Sequence, residues 1–257
     1  MKKKKVSIIS KGVFHLFKLG ARIVYRKTEI LGLDSIPGSN TIIVANHAQL
    51  NGPIIAELFM PKNCYIWANG QMFASKDVPS YAMEDFFTYK RKMLRPFCRI
   101  ASYLLAPLMP CIMENARAVP VYHDARIAST FRTTIKLLSC GNNILIFPEC
   151  HEKNNNIINR FRDNFVDVAR LYYKRTGVLL KFLPMYICPD LDKFYFGREI
   201  VYDPRSDAVE ERRRITEHLA EEITRIGRSI PEHTVIPFDN ISRKRYISSR
   251  EIDKLPK

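Results

Sequence analysis

Three short apolar runs limit how this chain can fold: "IIVA" at 42–45, "ILIF" at 144–147 and "LLKFLPMYIC" at 179–188. Runs of this length, rich in Ile, Val and Phe, read as buried strands. Between them the apolar residues switch to helical spacing. "ARIASTFRTTIKLLSCG" predicts a helix closed by Gly141, and "FRDNFVDVARLYYKRTG" another that ends on Gly177. "DAVEERRRITEHLAEEITRIGRSI" places Ile215, Leu219, Ile223 and Ile226 on a single apolar stripe. Strands alternating with helices predict an α/β sheet layered with helices. With 257 residues, 46% of them apolar, the chain can bury one fairly large core but hardly a second.

Further elements fill the gaps. "TEILGLDSIPGSN" predicts a strand and a turn built on Pro37-Gly38. A helix is expected from Pro53 to Leu58 or Phe59, then a strand and loop in "CYIWANGQMF", a strand in "AVPVY" and one more in "KFYFGREIVYD". Residues 100–113, "IASYLLAPLMPCIM", carry no charge and contain Pro107 and Pro110. They are too short and broken to span a bilayer, and are expected either in the core or dipping into an interface. The polar, basic stretch 242–257 is expected to be a loose tail, leaving 29–241 as the α/β domain.

The net charge of +15 favours polyanions such as nucleic acid, an anionic membrane or phosphorylated ligands. Its location narrows the choice, because nine Lys/Arg precede the first acidic residue, Glu29. Within residues 1–28, Val6, Ile9, Val13, Phe14, Phe17, Ala21 and Val24 recur at helical spacing among Lys11, Lys18 and Arg22, a basic amphipathic helix suited to a headgroup surface. Lys11, His15 and Lys18 interrupt any signal-peptide run and no small-residue cleavage site follows, so the segment is expected to be retained. Nucleic acid is not an expected partner: aromatic and basic residues are not interleaved and no binding motif is present. Six cysteines with no Cys-x-x-Cys pair fit a reduced setting and no zinc site.

Two strands run into reactive groups, Asn46-His47 after the first and Pro148-Glu149 with His151 after the second. Ligands of α/β proteins collect beyond the carboxyl ends of strands, and an imidazole there can take a proton from a hydroxyl near neutral pH. In content and order these residues resemble the lysophospholipid acyltransferase family, which includes the 1-acyl-sn-glycerol-3-phosphate acyltransferases. "IIVANHAQLNG" resembles its Asn-His block, "ILIFPECHE" with Phe147, Pro148 and Glu149 its Phe-Pro-Glu block, "AVPVYHD" its second block and "FLPMYI" with Pro184 its fourth. The likeness runs from about Glu29 to Ile226.

The resemblance implies a glycerolipid-acyltransferase-like fold and direct acyl transfer from acyl-CoA or acyl-carrier protein to a hydroxyl of a lysophospholipid or glycerol-phosphate acceptor, with no cofactor and no metal. His47 would be the general base, Glu149 would position the acceptor, and Asn46, Gly52, His123, Arg126, Phe147, Pro148, His151, Lys153 and Pro184 would contact substrates. The family's Asp, five residues past the histidine, falls on Gly52, so Asn51 is expected to accept a hydrogen bond from the ring, or Asp77, Glu84 or Asp85 to supply a carboxylate. His123 replaces the second block's arginine, and Cys150, His151 and Glu152 stand where Gly, Thr and Arg are usual. Lys153, Arg160, Arg162 or Arg126 would then hold an acceptor phosphate. The expected partners are an anionic membrane surface, the lysolipid acceptor and, as alternative donor, acyl-carrier protein. The expected location is the cytoplasmic face of the cell membrane, held peripherally. The alternative is a lipid-binding protein that kept the fold and lost catalysis.

Overall fold

The apolar runs form the centre of one sheet. The computed structural model describes residues 8–31, 40–87 and 92–252. Strands β2 (Thr41–Ala45), β3 (Cys64–Asn69), β4 (Ala118–Val121), β5 (Asn143–Ile146) and β8 (Lys181–Cys188) run parallel in the order β8-β2-β5-β3-β4. Beyond β8 lie β9 (Lys193–Phe196), antiparallel to it, and β1 (Glu29–Leu31), parallel to β9; β10 (Ile200–Val201) also pairs with β8. The turn expected at Pro37-Gly38 lies outside the described residues.

Pleating sends alternate residues of each central strand to opposite faces, so both faces need cover. Ile42, Val44, Ile144 and Ile146 pack with Ile135 and Leu138 of α6 (Ile127–Ser139), Val168 and Tyr172 of α7 (Asp167–Thr176), and the predicted stripe of α8 (Ala208–Ser229). Ile43, Ala45, Leu145, Leu183 and Met185 face Ile55 and Ala56 of α2 (Asn51–Phe59), which starts two residues before Pro53. The expected α/β sheet layered with helices is therefore the one observed. Gly141 and Gly177 take the left-handed conformation, with φ of 79° and 72°, that ends a helix without a Cβ clash.

Two expectations change and a third narrows. "KFYFGREIVYD" forms two strands, because the Pro184 carbonyl accepts from the Gly197 N–H at 2.9 Å while proline has no N–H to return to that neighbour. The ladder breaks there and resumes at β10. Residues 100–113 are not core: they belong to α4 (Arg95–Leu105) and α5 (Leu108–Asn115), bent by 48° at the break, and Ile100, Leu104 and Leu108 are exposed. Nor is the tail loose as far as Ile252. β12 (Ile247–Ser248) pairs with β11 (Thr234–Val235), and Ile252 is buried, so main-chain pairing and apolar burial overcome the polar composition. Residues 253–257 lie outside the described set.

The N-terminal helix α1 (Ile8–Val24) has apolar residues on two sides. Phe14 and Ala21 are buried, and Ser10 accepts a hydrogen bond from Asn115 of α5. Ile8, Ile9, Leu16, Leu19 and Ile23 face outward. Val6 lies outside the described residues. Lys18 reaches the largely buried Glu57 of α2 at 3.1 Å, and Arg117 approaches the same carboxylate at 3.6 Å. No single helix among the described residues is long and apolar enough to cross a membrane; α4 and α5 pass that length and composition test only as a bent pair.

Leu219 is fully buried between α8 and the sheet, so Leu219→Ala removes apolar contacts and leaves a cavity. The expected loss is about 2–5 kcal/mol, measured by chemical denaturation.

Candidate active site

β2 delivers Asn46 and His47 to the carboxyl edge of the sheet, and β5 delivers Phe147, Pro148 and Glu149 beside them. The chain after Glu149 folds back as a hairpin, β6 (Glu149–Lys153) against β7 (Asn159–Phe161), an element for which no strand was expected from the sequence. Glu149 is buried at the root of this hairpin. Its Oε2 accepts from the His47 backbone N–H at 2.5 Å and its Oε1 from the Asn159 N–H at 2.8 Å. The carboxylate thus ties the two motifs together through backbone donors, with one oxygen for each. Burial pushes its pKa up to about 7, against the lowering effect of these two donors, and the Asp239 charge adds to the rise.

The ring of His47 stands between two aromatics, with Phe147 at 5.3 Å and Phe238 at 5.5 Å, both edge-on. Its Nδ1 bonds the backbone carbonyl of Gln49. A carbonyl can only accept, so Nδ1 carries the proton and Nε2 keeps the lone pair. The tautomer needed for a base acting through Nε2 is fixed without a carboxylate. Burial depresses the imidazole's pKa below 6.5, more than the Gln49 carbonyl and the Asp85 carboxylate raise it, so the ring is neutral at neutral pH.

The turn that brings Gln49 back to the ring is strained. Ala48 and Gln49 both have left-handed backbones, φ 47° and 55°, a conformation that costs a non-glycine residue about 1–2 kcal/mol. Gly52 completes the turn, its N–H donating to the His47 carbonyl at 3.1 Å. A Cβ at 52 would lie 2.4 Å from that carbonyl oxygen, so an aspartate at this position would displace the backbone that holds the histidine.

Several residues expected in the site have other work. Asn51 does not reach the ring: its Oδ1 accepts from Tyr25 and its Nδ2 donates to the Ala48 carbonyl, both at 2.9 Å. Asn46 spends its amide on the backbone of Ile187, accepting at 2.7 Å and donating at 3.1 Å, which locks β2 to the end of β8. Pro184 is buried beside Val44, inside the sheet and away from its carboxyl edge. Arg126 is paired with Asp124 and lies 4.2 Å over the Tyr122 ring, while Arg160 pairs with Glu152.

The positions that remain open cluster beyond β4, β5 and β6. The Arg162 N–H donates to the Pro148 carbonyl at 2.9 Å, and its guanidinium donates to Nδ1 of His123 at 3.3 Å. Burial, then the Arg162 charge, lowers the His123 pKa. Arg162 has no carboxylate partner among the described residues. His151 is exposed, paired with Asp239 at 2.7 Å, and its ring meets Phe238 at 5.1 Å; Lys153 is exposed at the end of β6. No cluster of three metal-ligating side chains occurs among the described residues. The sequence pointed to none of Gln49, Phe238, Asp239 or Tyr246, since no local pattern announces a contact across some 190 residues.

Because Glu149 titrates near 4.5 when unfolded and about 7 when folded, unfolding releases a proton between these values. This contribution to stability is complete below 4.5 and is lost as pH rises to 7, by about 3 kcal/mol at most. Glu149→Gln should flatten that part of the pH–stability curve and also lower stability throughout, because one backbone N–H loses its acceptor. Urea denaturation across this range checks both effects.

Neither a family model nor a curated protein matches the sequence. Among solved structures the chain is similar to the 1-acyl-sn-glycerophosphate (LPA) acyltransferase, PlsC, from Thermotoga maritima, with 15% sequence identity, coverage of 85% of this chain and 79% of that one, and a TM-score of 0.46. At that identity and overlap, what this chain does must be read from its own residues.

Proposed function

We propose that this chain is an acyltransferase of glycerolipid metabolism that moves a fatty acyl group from a thioester donor, acyl-CoA or acyl-carrier protein, to a hydroxyl of a lysolipid acceptor. One observation carries the reading: His47 is a neutral imidazole at the carboxyl edge of the sheet, with Nδ1 committed to Gln49 and Nε2 left as the proton acceptor. The resemblance of "NHAQLNG" and "FPECHE" to the acyltransferase motifs supports it.

Nε2 takes the acceptor's hydroxyl proton as the oxygen attacks the thioester carbonyl. The tetrahedral intermediate collapses by breaking the C–S bond, and the departing thiolate recovers the proton from Nε2. No acyl-enzyme forms and no cofactor is required. Glu149 keeps the His47 backbone in register, so it is a positioning residue here. Arg162, with His123, suits the acceptor's phosphate, being an arginine beside the motif with no carboxylate partner among the described residues.

With acyl-CoA and a panel of lysophospholipids, His47→Ala should reduce transfer by about 10²–10⁴-fold. Arg162→Ala should raise the acceptor KM by about tenfold and leave the donor KM alone. The acid limb of kcat/KM should lie below 6.5, the ordinary imidazole value. Full activity in His47→Ala would overturn the mechanism. The neutral partner of Nδ1 also favours a second reading, a lipid-binding protein without turnover, which predicts vesicle binding that His47→Ala leaves intact and no transfer from any donor.

The site would work at an anionic membrane surface, on the cytoplasmic face. Exposed apolar residues line α1 (Ile8, Leu16, Leu19, Ile23) and α4 (Phe97, Ile100, Leu104), with Lys11, Arg22, Arg95 and Arg99 exposed alongside. Apolar side chains beside exposed cations suit insertion among anionic headgroups. Phe97→Asp with Leu104→Asp should weaken co-sedimentation with anionic vesicles at least about tenfold. Unchanged binding would remove α4 from the contact.

A further inference from the structure

The C-terminal segment reaches across the fold to one residue, Gln49. Its Nε2 donates to the carbonyls of Asp239 and Ile241 at 2.9 and 3.2 Å, and its Oε1 accepts from the Tyr246 hydroxyl at 2.7 Å. The segment is itself fastened at both sides of the site. Asn240 donates to the backbone and side chain of Asp85 at 2.9 and 2.8 Å, and Asp239 pairs with His151 at 2.7 Å. On the near side, Tyr25 holds Asn51, and Asn51 holds the Ala48 carbonyl.

So many bonds converge on a turn that an Ala-Gln pair would not keep unaided. Both residues are left-handed without being glycine, and relaxing either one would swing the Gln49 carbonyl away from His47. We propose that Gln49, clamped by residues 239–246, is the positioning residue of the catalytic histidine: its carbonyl holds Nδ1–H as a carboxylate does in His-Asp pairs, and the C-terminal segment holds the carbonyl.

The role rests on the acyltransfer reading, with His47 as base, but the clamp itself is a statement about the ring's tautomer. Among the described residues, the ionisable groups around this site include Asp85 from the end of α3 (Val78–Glu84), whose charge acts on the ring, Glu149 from β6, which bonds the His47 backbone, and His151, paired with Asp239, whose ring meets Phe238 as that of His47 does. None of them bonds a ring nitrogen of His47. Asp85 is engaged by Tyr81 at 2.6 Å and by Asn240, and Glu149 meets His47 through its backbone N–H and Asn159 through another. The tautomer therefore depends on the Gln49 carbonyl.

The test uses the full chain and ¹⁵N imidazole NMR at mildly alkaline pH, with the His47 signals assigned by their loss in His47→Gln. The wild type should show Nδ1 protonated and Nε2 bare. Gln49→Gly keeps the left-handed backbone accessible but removes all three side-chain bonds; it should give a mixture of tautomers and lower kcat by about 10- to 100-fold with KM for both substrates within about twofold. Tyr246→Phe, which removes one of the three bonds to Gln49, should fall between. The proposal is overturned if both variants keep the wild-type tautomer, or if their loss appears only in KM. Should no preparation transfer acyl groups, the acyltransfer reading fails while the NMR result still decides the clamp.

Discussion

A single buried carboxylate joins the parts of this site. Glu149 accepts one backbone N–H from His47 and another from Asn159, and so fixes the end of β2 relative to the β6–β7 hairpin. Burial penalises its charge and the two donors partly offset that penalty, which is why its pKa sits about 7. A serine or alanine there would leave two inward N–H groups without an acceptor, and the histidine's backbone would lose its reference point.

The imidazole is held by a different economy of parts. A charged partner would fix the tautomer and stabilise an imidazolium, were the ring to take a proton; the Gln49 carbonyl supplies the first and, as a neutral dipole, little of the second. The Asp85 carboxylate, engaged by Tyr81 and Asn240, provides a more distant favourable charge. Strain at Ala48 and Gln49 is tolerated because Asn51, Gly52 and the C-terminal segment fix the turn from three directions. The same arrangement explains Gly52: the carbonyl of His47 occupies the space a side chain would need.

Around this centre the helices divide two tasks. α6, α7 and α8 bury their apolar stripes on one face of the sheet, while α1 and α4 keep apolar side chains in solvent as well as in packing. Helical spacing in the N-terminal segment identified an amphipathic helix, but it grouped Ile9 and Val24, which point out, with Phe14 and Ala21, which point in. Periodicity reports that apolar residues share an arc, and only a neighbour such as α5 determines which edge of that arc is covered.

The α/β class, the central strands, the glycine helix ends, the α8 stripe and the arrival of His47 and Glu149 at strand ends were legible in the sequence, because each depends on local spacing and on the pleat or helix period. Asn46 and Pro184 were drawn toward the substrate, and Asn51 toward the His47 ring, by motif position alone; the structure gives them hydrogen bonds or packing within the protein instead. Composition made the C-terminal stretch look loose, whereas β-pairing and Ile252 dock it. The partner of His47 Nδ1 could be decided only in three dimensions. Nothing near "NHAQLNG" specifies that an Ala-Gln pair turns left-handed, since the hydrogen bonds that make this conformation affordable come from residues about 190 positions away. The sequence determined which group stands at the carboxyl edge of the sheet; tertiary packing decided which atom orients it.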